Sequence, residues 1–255
     1  MPPDRPLEAT GPGVGTGVGS TRSGAPSGAA LLSLLRLASP ALPIGGFSYS
    51  QGFETAVERG WIRNEADAGG WIEDLLDAGI GRFDAPICLS IARAIANGRD
   101  AAAFDLHRRF LASRETRELR AETEQMGYSL LKLLDGLDGA DAHVTATVRA
   151  LRERSEPCGL PLAWALAARS FGVPPDAALH GYLWAWLENQ VMAALKAVPL
   201  GQQAGQRLFA RLIPRLAEVI EGCEAMAPEA WSNFAPGFAL ASSWHETQYS
   251  RLFRS

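Results

Sequence analysis

The stretch LHGYLWAWLENQVMAALKAV, which spans Leu179 to Val198, carries the strongest evidence about the fold. Large apolar side chains lie on every side of the helix that it would form, so we predict a central helix enclosed by other helices. Pro199 and Gly201 predict its end, because proline cannot continue a helix and glycine disfavours one. The few polar residues inside this stretch therefore need partners within the fold.

A second, amphipathic helix is predicted from about Asp105 to Leu134. Its buried stripe alternates steps of four and three residues and consists of Leu119, Thr123, Met126, Leu130 and Leu133. Arg114 and Glu118 are four residues apart and are expected to pair on the outer face. Arg120 and Glu124 repeat this spacing, and such pairs are typical of a solvated helix face.

Further helical segments flank these two. Leucines at positions 31, 32, 34, 35 and 37 predict a short helix that Pro40 and Pro43 end. Asn64 can cap the next helix and Pro86 can begin another. A last long helix is predicted from Gln202 to Met226, with a kink or break at Pro214.

These patterns predict an all-α fold, a single-domain bundle of about ten helices that spans residues 29–241. No segment alternates in the way a strand does, and no internal repeat is present. Residues 1–28 contain mainly Gly, Pro, Ser and Thr, and we expect a disordered leader because so few apolar side chains cannot offset chain entropy. Residues 242–255 form a separate C-terminal tail.

Composition narrows the class of function. The formal net charge of −4 and the pI of about 5.6 argue against a broad nucleic-acid surface, which needs clustered basic residues. Cys88, Cys158 and Cys223 are far apart and form no CxxC motif, so buried thiols in a reducing compartment are favoured over disulfides or zinc. The sequence shows neither a signal peptide nor a run of about 18 apolar residues. We expect a soluble, cytoplasmic protein without membrane contact.

Catalytic motifs are incomplete throughout the chain. The segment His245-Glu246-Thr247-Gln248-Tyr249 begins like a zinc-protease helix but lacks the second histidine. The segment Gly46-Phe47-Ser48-Tyr49-Ser50 begins like a nucleophile elbow, but Ser50 replaces the glycine that closes the turn. The four histidines show no ligand spacing. We therefore predict no catalytic site, no metal site and no cofactor in this chain.

The loop from Ser39 to Ser50 is dense in proline and glycine. Gly45 and Gly46 permit backbone conformations that are closed to other residues, so we expect a defined loop that presents Phe47 and Tyr49. The alternative is a tight connection whose aromatic side chains fill the core.

Two further polar segments lie in and after the central helix. Glu188, Asn189 and Gln190 interrupt its apolar surface, and a buried polar network that fixes packing is the favoured interpretation. Lys196 lies seven residues after Asn189, on nearly the same side of the helix. Gln202 belongs to the following turn, where glutamines can satisfy helix ends or contact another chain.

The tail has the composition of an anchor. Its side chains include Trp244, Tyr249, Arg251, Leu252, Phe253 and Arg254, and Trp, Tyr and Arg supply most interface hot spots. Chain ends are usually disordered unless something holds them. Composition alone leaves two alternatives open, which are docking on a partner and folding back onto the chain's own core.

Four blocks of sequence resemble the UreF family of urease accessory proteins. They are residues 37–54 (LASPALPIGGFSYSQGFE), 117–120 with 125–127 (RELR and QMG), Lys196 with 199–202 (PLGQ), and 245–255 (HETQYSRLFRS). The resemblance extends from Ala29 to Ser255 and does not include the leader. It implies an all-helical, homodimeric, non-enzymatic chaperone in nickel insertion.

The resemblance also implies partners and surfaces. UreF-like proteins bridge a UreD/UreH-type protein, which contacts apo-urease, and the GTPase UreG. The expected UreD/UreH-facing residues are Tyr249, Arg251, Leu252, Phe253 and Arg254, by coupled folding and binding. Residues expected to form or support the UreG-facing surface are Gly45, Gly46, Phe47, Tyr49, Lys196 and Gln202. Lys196 is interpreted as structural or interfacial, since its helix is predicted to be buried.

Two rival functions remain from other classes. A helical hydrolase or transferase could use Glu188 and His245 as acid and base. A nickel-storage protein is disfavoured because imidazole and thiolate ligands are few and dispersed. Transient passage of nickel through an assembled complex stays open.

Overall fold

A computed structural model describes residues 26–137 and 141–255 of the chain. Within these ranges the protein contains eleven α-helices and no strand, which confirms the predicted all-α fold. The predicted leader lies outside the described residues up to position 25. Its last residue, Gly28, already begins the first helix.

The helices follow one another through short connections. Their bounds are α1 (Gly28–Leu37), α2 (Phe53–Glu58), α3 (Glu65–Leu75), α4 (Ala85–Ala96), α5 (Asp100–Ala112), α6 (Arg117–Asp135), α7 (Ala142–Glu153), α8 (Leu160–Ser170), α9 (Pro175–Ala197), α10 (Gln202–Ala225) and α11 (Pro236–His245). A π-helical segment, Leu76–Asp84, joins α3 to α4. Short 3₁₀ turns lie at Gly46–Ser48 and Pro228–Ala230.

Helix α9 is the central element that the sequence predicts. It packs against α1, α2, α3, α4, α8 and α10, and most of its apolar residues are buried. The start signals are also confirmed: the Asn64 side chain accepts a hydrogen bond from the Asp67 amide at 3.0 Å, and Pro86 lies in the first turn of α4. Helix α4 is enclosed by α5, α8 and α9, so the core lies between these layers.

The single helix predicted from Asp105 to Leu134 is wrong. Helix α5 ends at Ala112, and Thr116 caps a new helix by accepting a hydrogen bond from the Leu119 amide at 3.2 Å. Arg114 therefore lies in the connection and turns inward, because its guanidinium can neutralise the buried carboxylate of Asp84 there. The predicted outer-face pair of Arg114 with Glu118 does not form.

Other details of the periodic helices are closer to expectation. Arg120 and Glu124 pair at 2.9 Å, as predicted. Leu133 is only half-buried, and Leu134 is buried instead. Helix α10 continues through Pro214 without the break that was one of the two expected outcomes.

The thiols agree with the prediction from spacing. Cys88, Cys158 and Cys223 are free and buried. Burial raises the pKa of Cys158 and of Cys223 to about 12, so both remain protonated thiols. No helix in the described ranges is both long enough and apolar enough to cross a bilayer.

Candidate functional site

The predicted start of the tail, Ser242, lies within α11, and the residues after His245 run back across the body of the protein. Its last residues join the loop that follows α1: the Arg254 amide donates to the Ser48 carbonyl at 2.8 Å, and the Ser50 amide donates to the Ser255 carbonyl at 2.6 Å. The Ser50 hydroxyl donates to the same Ser255 oxygen at 2.6 Å. The loop and the tail, which were predicted to form two separate partner surfaces, therefore form one continuous site.

Glu54 on α2 holds the backbone of the tail. One oxygen of its carboxylate accepts from the Leu252 amide at 2.6 Å, and the other accepts from the Phe253 amide at 3.0 Å. The Glu54 side chain is buried, and a buried carboxylate needs such donors. Removal of the tail would leave this carboxylate without both amides.

Glu118 on α6 forms a second anchor. Its Oε1 accepts from Arg251 Nη1 at 2.6 Å, and its Oε2 lies 2.6 Å from His245 Nδ1. His245 is completely buried, and its Nε2 lies 3.4 Å from Glu54 Oε2. His245 thus contacts Glu54 and Glu118 and not Glu188, which was its partner in the rival enzyme hypothesis.

A buried polar network lies beneath the last tail residue. Glu122 Oε2 accepts from the Ser255 hydroxyl at 2.7 Å, and Glu122 Oε1 accepts from Gln51 Nε2 at 2.7 Å. Gln51 Oε1 in turn accepts from Trp186 Nε1 at 2.8 Å and Gln190 Nε2 at 3.3 Å. Burial raises the pKa of Glu122 to about 7, although the bonds from Ser255 and Gln51 oppose this shift.

The network that was predicted around Glu188 and Asn189 is placed differently. Asn189 is half-buried and donates to the Tyr49 carbonyl at 2.9 Å. Glu188 is also half-buried, and burial raises the pKa of its carboxyl. Gln190, the next residue, is the fully buried member of this stretch and connects α9 to the network.

The loop residues differ in how far they reach the surface. Gly45 adopts a left-handed conformation with φ of 80°, which requires glycine, and Gly46 opens the 3₁₀ turn. Phe47 is partly exposed, whereas Tyr49 is buried. Burial raises the pKa of the Tyr49 phenol, and the nearby Arg254 opposes that shift.

Lys196 connects the end of α9 to the tail. Its Nζ lies 4.5 Å from the centre of the Phe253 ring and 3.5 Å from the Leu252 carbonyl. Lys196 is exposed at the end of the largely buried helix α9. Phe253 is buried, and Gln202 is exposed at the start of α10.

The tip of the tail projects into solvent. Tyr249 is fully exposed and Leu252 is 57% exposed, whereas the two tail residues Phe253 and Ser255 are buried. The predicted partner residues therefore divide into an exposed tip and a buried base. Their role in contacting a partner stays a prediction.

A cavity of about 320 Å³ lies beside the same loop. Its polar lining includes Gln51, Glu122, and the ion pair of Asp84 with Arg114, and its apolar lining includes Trp164. In residues 26–137 and 141–255, no group of three or more His, Cys, Asp and Glu side chains is arranged to hold a metal ion.

Sequence reasoning missed the three carboxylates that hold the tail, which are Glu54, Glu118 and Glu122. The spacing of four between Glu118 and Glu122 matches a helix face next to the apolar stripe of α6, which was the available signal. Glu118 was instead expected to pair with Arg114 on an outer face, because nothing local shows that the tail covers this part of α6.

Comparison with known proteins identifies the family. The UreF family model matches residues 62–213. The urease accessory protein UreF of Azoarcus sp. (strain BH72) is 55% identical over 225 residues, which cover 88% of this chain and 95% of that protein. The UreF protein of Dechloromonas aromatica (strain RCB) is 50% identical over 225 residues, which cover 88% of this chain and 97% of that one.

A fused relative is also similar. The bifunctional urease accessory protein UreEF of Bordetella bronchiseptica is 50% identical over 228 residues, which cover 88% of this chain and 52% of that protein. Similarity at this level extends over nearly nine-tenths of the chain. This chain belongs to the UreF family of urease accessory proteins.

Proposed function

We propose that this chain is a non-catalytic scaffold that bridges a UreD/UreH-type protein and the GTPase UreG during GTP-dependent nickel insertion into apo-urease. The observation that carries the proposal is the direct joining of the tail to the Gly45–Tyr49 loop through Arg254, Ser48 and Ser255. Because these two surfaces share hydrogen bonds, binding of a partner at one of them can change the conformation of the other. Family membership supports the accessory role.

The exposed tip of the tail is suited to the UreD/UreH-type partner. Tyr249 and Leu252 offer apolar area, and Arg251 and Arg254 lie on either side of Leu252. Exposed aromatic and arginine side chains are typical of interface anchors. Phe253 supports the tip from below through its contact with Lys196, so we assign it the role of a base for the anchor in the free chain.

The loop side is suited to UreG. Phe47, Lys196 and Gln202 reach the surface, whereas Gly45, Gly46 and Tyr49 shape the loop beneath them. The sequence contains no phosphate-binding loop with the GK[ST] motif, so nucleotide hydrolysis would belong to the partner. In this proposal the chain regulates that hydrolysis by presenting an ordered loop.

The assembly that we propose is cytoplasmic and contains a homodimer of this chain. The name of the Bordetella bronchiseptica relative describes a bifunctional UreEF protein, in which a region similar to this chain is fused to a further accessory region. Such a fusion supports action within a multi-protein assembly. Nickel is cargo in this scheme.

The double variant Tyr249→Ala/Leu252→Ala removes the two exposed side chains of the tip. It should bind the UreD/UreH-type partner about 30-fold more weakly or worse, because truncation of an interface anchor costs about 2 kcal/mol or more. Folding should be unaffected because both side chains face solvent. Size-exclusion chromatography with light scattering checks complex formation, and thermal unfolding checks the fold. Tyr128→Ala is the matched control, since Tyr128 is 60% exposed on α6 and outside the tail.

Retained binding by the double variant, with the control also binding, would contradict the assignment of the tip. A second variant that ends at Thr247 keeps the buried His245 and removes the rest of the tail. Loss of binding only in this variant would show that the partner contacts the base of the tail and not its tip. The proposed UreG-facing surface is tested separately with Phe47→Ala. This variant should still form the complex with the UreD/UreH-type partner, but that complex should recruit less UreG.

A further inference from the structure

The contacts of residues 246–255 converge on acidic side chains of α2 and α6, and we call these contacts the tail latch. Glu54 and Glu118 receive the middle of the tail, and Glu122 receives its end at Ser255. Both Glu54 and Glu122 are buried in the structure with the tail docked. Closing the latch therefore places several carboxylates in a site of low water access.

We propose that the tail latch is closed by a proton: the Glu122 carboxyl is protonated when the tail is docked, and the latch opens as this carboxyl ionises with rising pH. The proposal goes beyond the scaffold function. It concerns the chain alone and stands whether or not the tail contacts a UreD/UreH-type partner.

The geometry around Glu122 suits a neutral carboxyl. Its Oε1 accepts from the Gln51 amide, and its Oε2 faces the Ser255 hydroxyl, which can either donate or accept. A proton on Oε2 can thus be donated to Ser255 without loss of a hydrogen bond. Ionisation instead places a charge in a site where Glu122 is 3% exposed.

The charged groups that face Glu122 do not compensate for its burial. Arg114 favours ionisation, but its guanidinium is already engaged with Asp84, which opposes ionisation. Burial raises the pKa of Tyr49 and of Tyr182, so both phenols stay neutral. Burial remains the main cause of the raised pKa of Glu122, about 7.

His245 lies between the other two carboxylates of the latch. Nδ1 faces Glu118 and Nε2 faces Glu54, so each nitrogen has a carboxylate oxygen as its partner. Arg251 is a cation at this site and binds the second oxygen of Glu118.

The sign of the pH dependence follows from linkage. Glu122 regains water when the tail leaves, and its pKa then moves from about 7 toward the ordinary value of 4.5. The docked state binds the proton more tightly, so docking weakens as the pH rises through this interval and levels off above it. The pKa difference sets a ceiling of about 300-fold on the contribution of Glu122.

Hydrogen exchange on the full chain tests the latch, after correction for the intrinsic pH dependence of exchange. The reporting amides are those of Ser50, Gln51, Leu252, Phe253 and Arg254, which all donate within the latch. Their protection should fall about tenfold between pH 6 and pH 8, while amides in the middle of α10 keep theirs. In Glu122→Gln, which mimics the protonated carboxyl, protection at pH 8 should stay within about threefold of its value at pH 6.

Glu124→Gln is the matched control, because it makes the same change on the outer face of the same helix, where Glu124 pairs with Arg120. It should keep the pH dependence of the wild type. Equal pH dependence in Glu122→Gln and the wild type, or protection that does not change with pH, would overturn the proposal. If Glu122→Gln opens the latch even at pH 6, carbon NMR of the wild-type Glu122 carboxyl decides: a midpoint near 7 supports the proposal, and one near 4.5 refutes it.

Discussion

Gly127→Ala should destabilise the protein by about 3 kcal/mol, although alanine is the better helix former. Gly127 lies in the middle of α6, where it packs against the start of α8. A Cβ atom at this position would be 2.0 Å from the Cys158 carbonyl oxygen and 2.8 Å from the Gly159 carbonyl carbon. Both atoms are backbone, so the two helices must separate to accept the methyl group.

Chemical denaturation measures this effect, and Gly70→Ala is its matched control. Gly70 also lies within a helix, α3, but a Cβ there would meet no atom within 4 Å. We expect Gly70→Ala to stabilise the protein by about 0.5–1 kcal/mol through lower chain entropy in the unfolded state. If Gly127→Ala were as stable as Gly70→Ala, the close crossing of α6 and α8 would be incorrect.

Arg114→Met should cost about 3–5 kcal/mol, because it leaves the carboxylate of Asp84 buried without its partner. Arg114 makes two hydrogen bonds to Asp84, at 2.7 and 3.0 Å, and the side chains are only 11% and 8% exposed. The pair also lines the cavity beside the loop. The measurement is the free energy of unfolding in denaturant, and the loop should lose order in the variant.

A double-mutant cycle separates the pair from its surroundings. Asp84→Leu/Arg114→Met should recover most of the lost stability, since an apolar pair of similar volume often replaces a buried ion pair at little cost. Arg152→Met is the control, because Arg152 pairs with Asp135 at the surface with both side chains about half exposed, and it should cost less than about 1 kcal/mol. If Arg114→Met and Arg152→Met lowered the free energy of unfolding by the same amount, burial would not be what makes the Arg114–Asp84 pair important.

Arg114 also illustrates how far a sequence pattern can be trusted. Its spacing to Glu118 matches a solvated helix pair, and the spacing of Arg120 to Glu124 is identical. Only the second pair forms, because α6 begins at Arg117 and the first pair spans the connection before it. Four-residue spacing predicts contact only where the backbone is continuously helical.

The candidate site could be predicted only in part. The loop glycines, the aromatic tail and Lys196 stood out because their residue types are unusual where they occur. Glu54, Glu118 and Glu122 did not, because glutamates are common on helix surfaces. Their function as receivers of the tail depends on residues roughly 130 to 200 positions away in the chain.

The sequence by itself determined the helical class, the central position of α9, the helix start at Asn64 and the family. These properties follow from local periodicity, capping chemistry and short motifs, which act over a few residues. Only the tertiary structure decided that Arg114 turns inward, that Gly127 accommodates a helix crossing and that the tail closes over three carboxylates. Each of these depends on long-range packing, where burial changes the energetic cost of a charge or a methyl group and no local pattern records what will cover it.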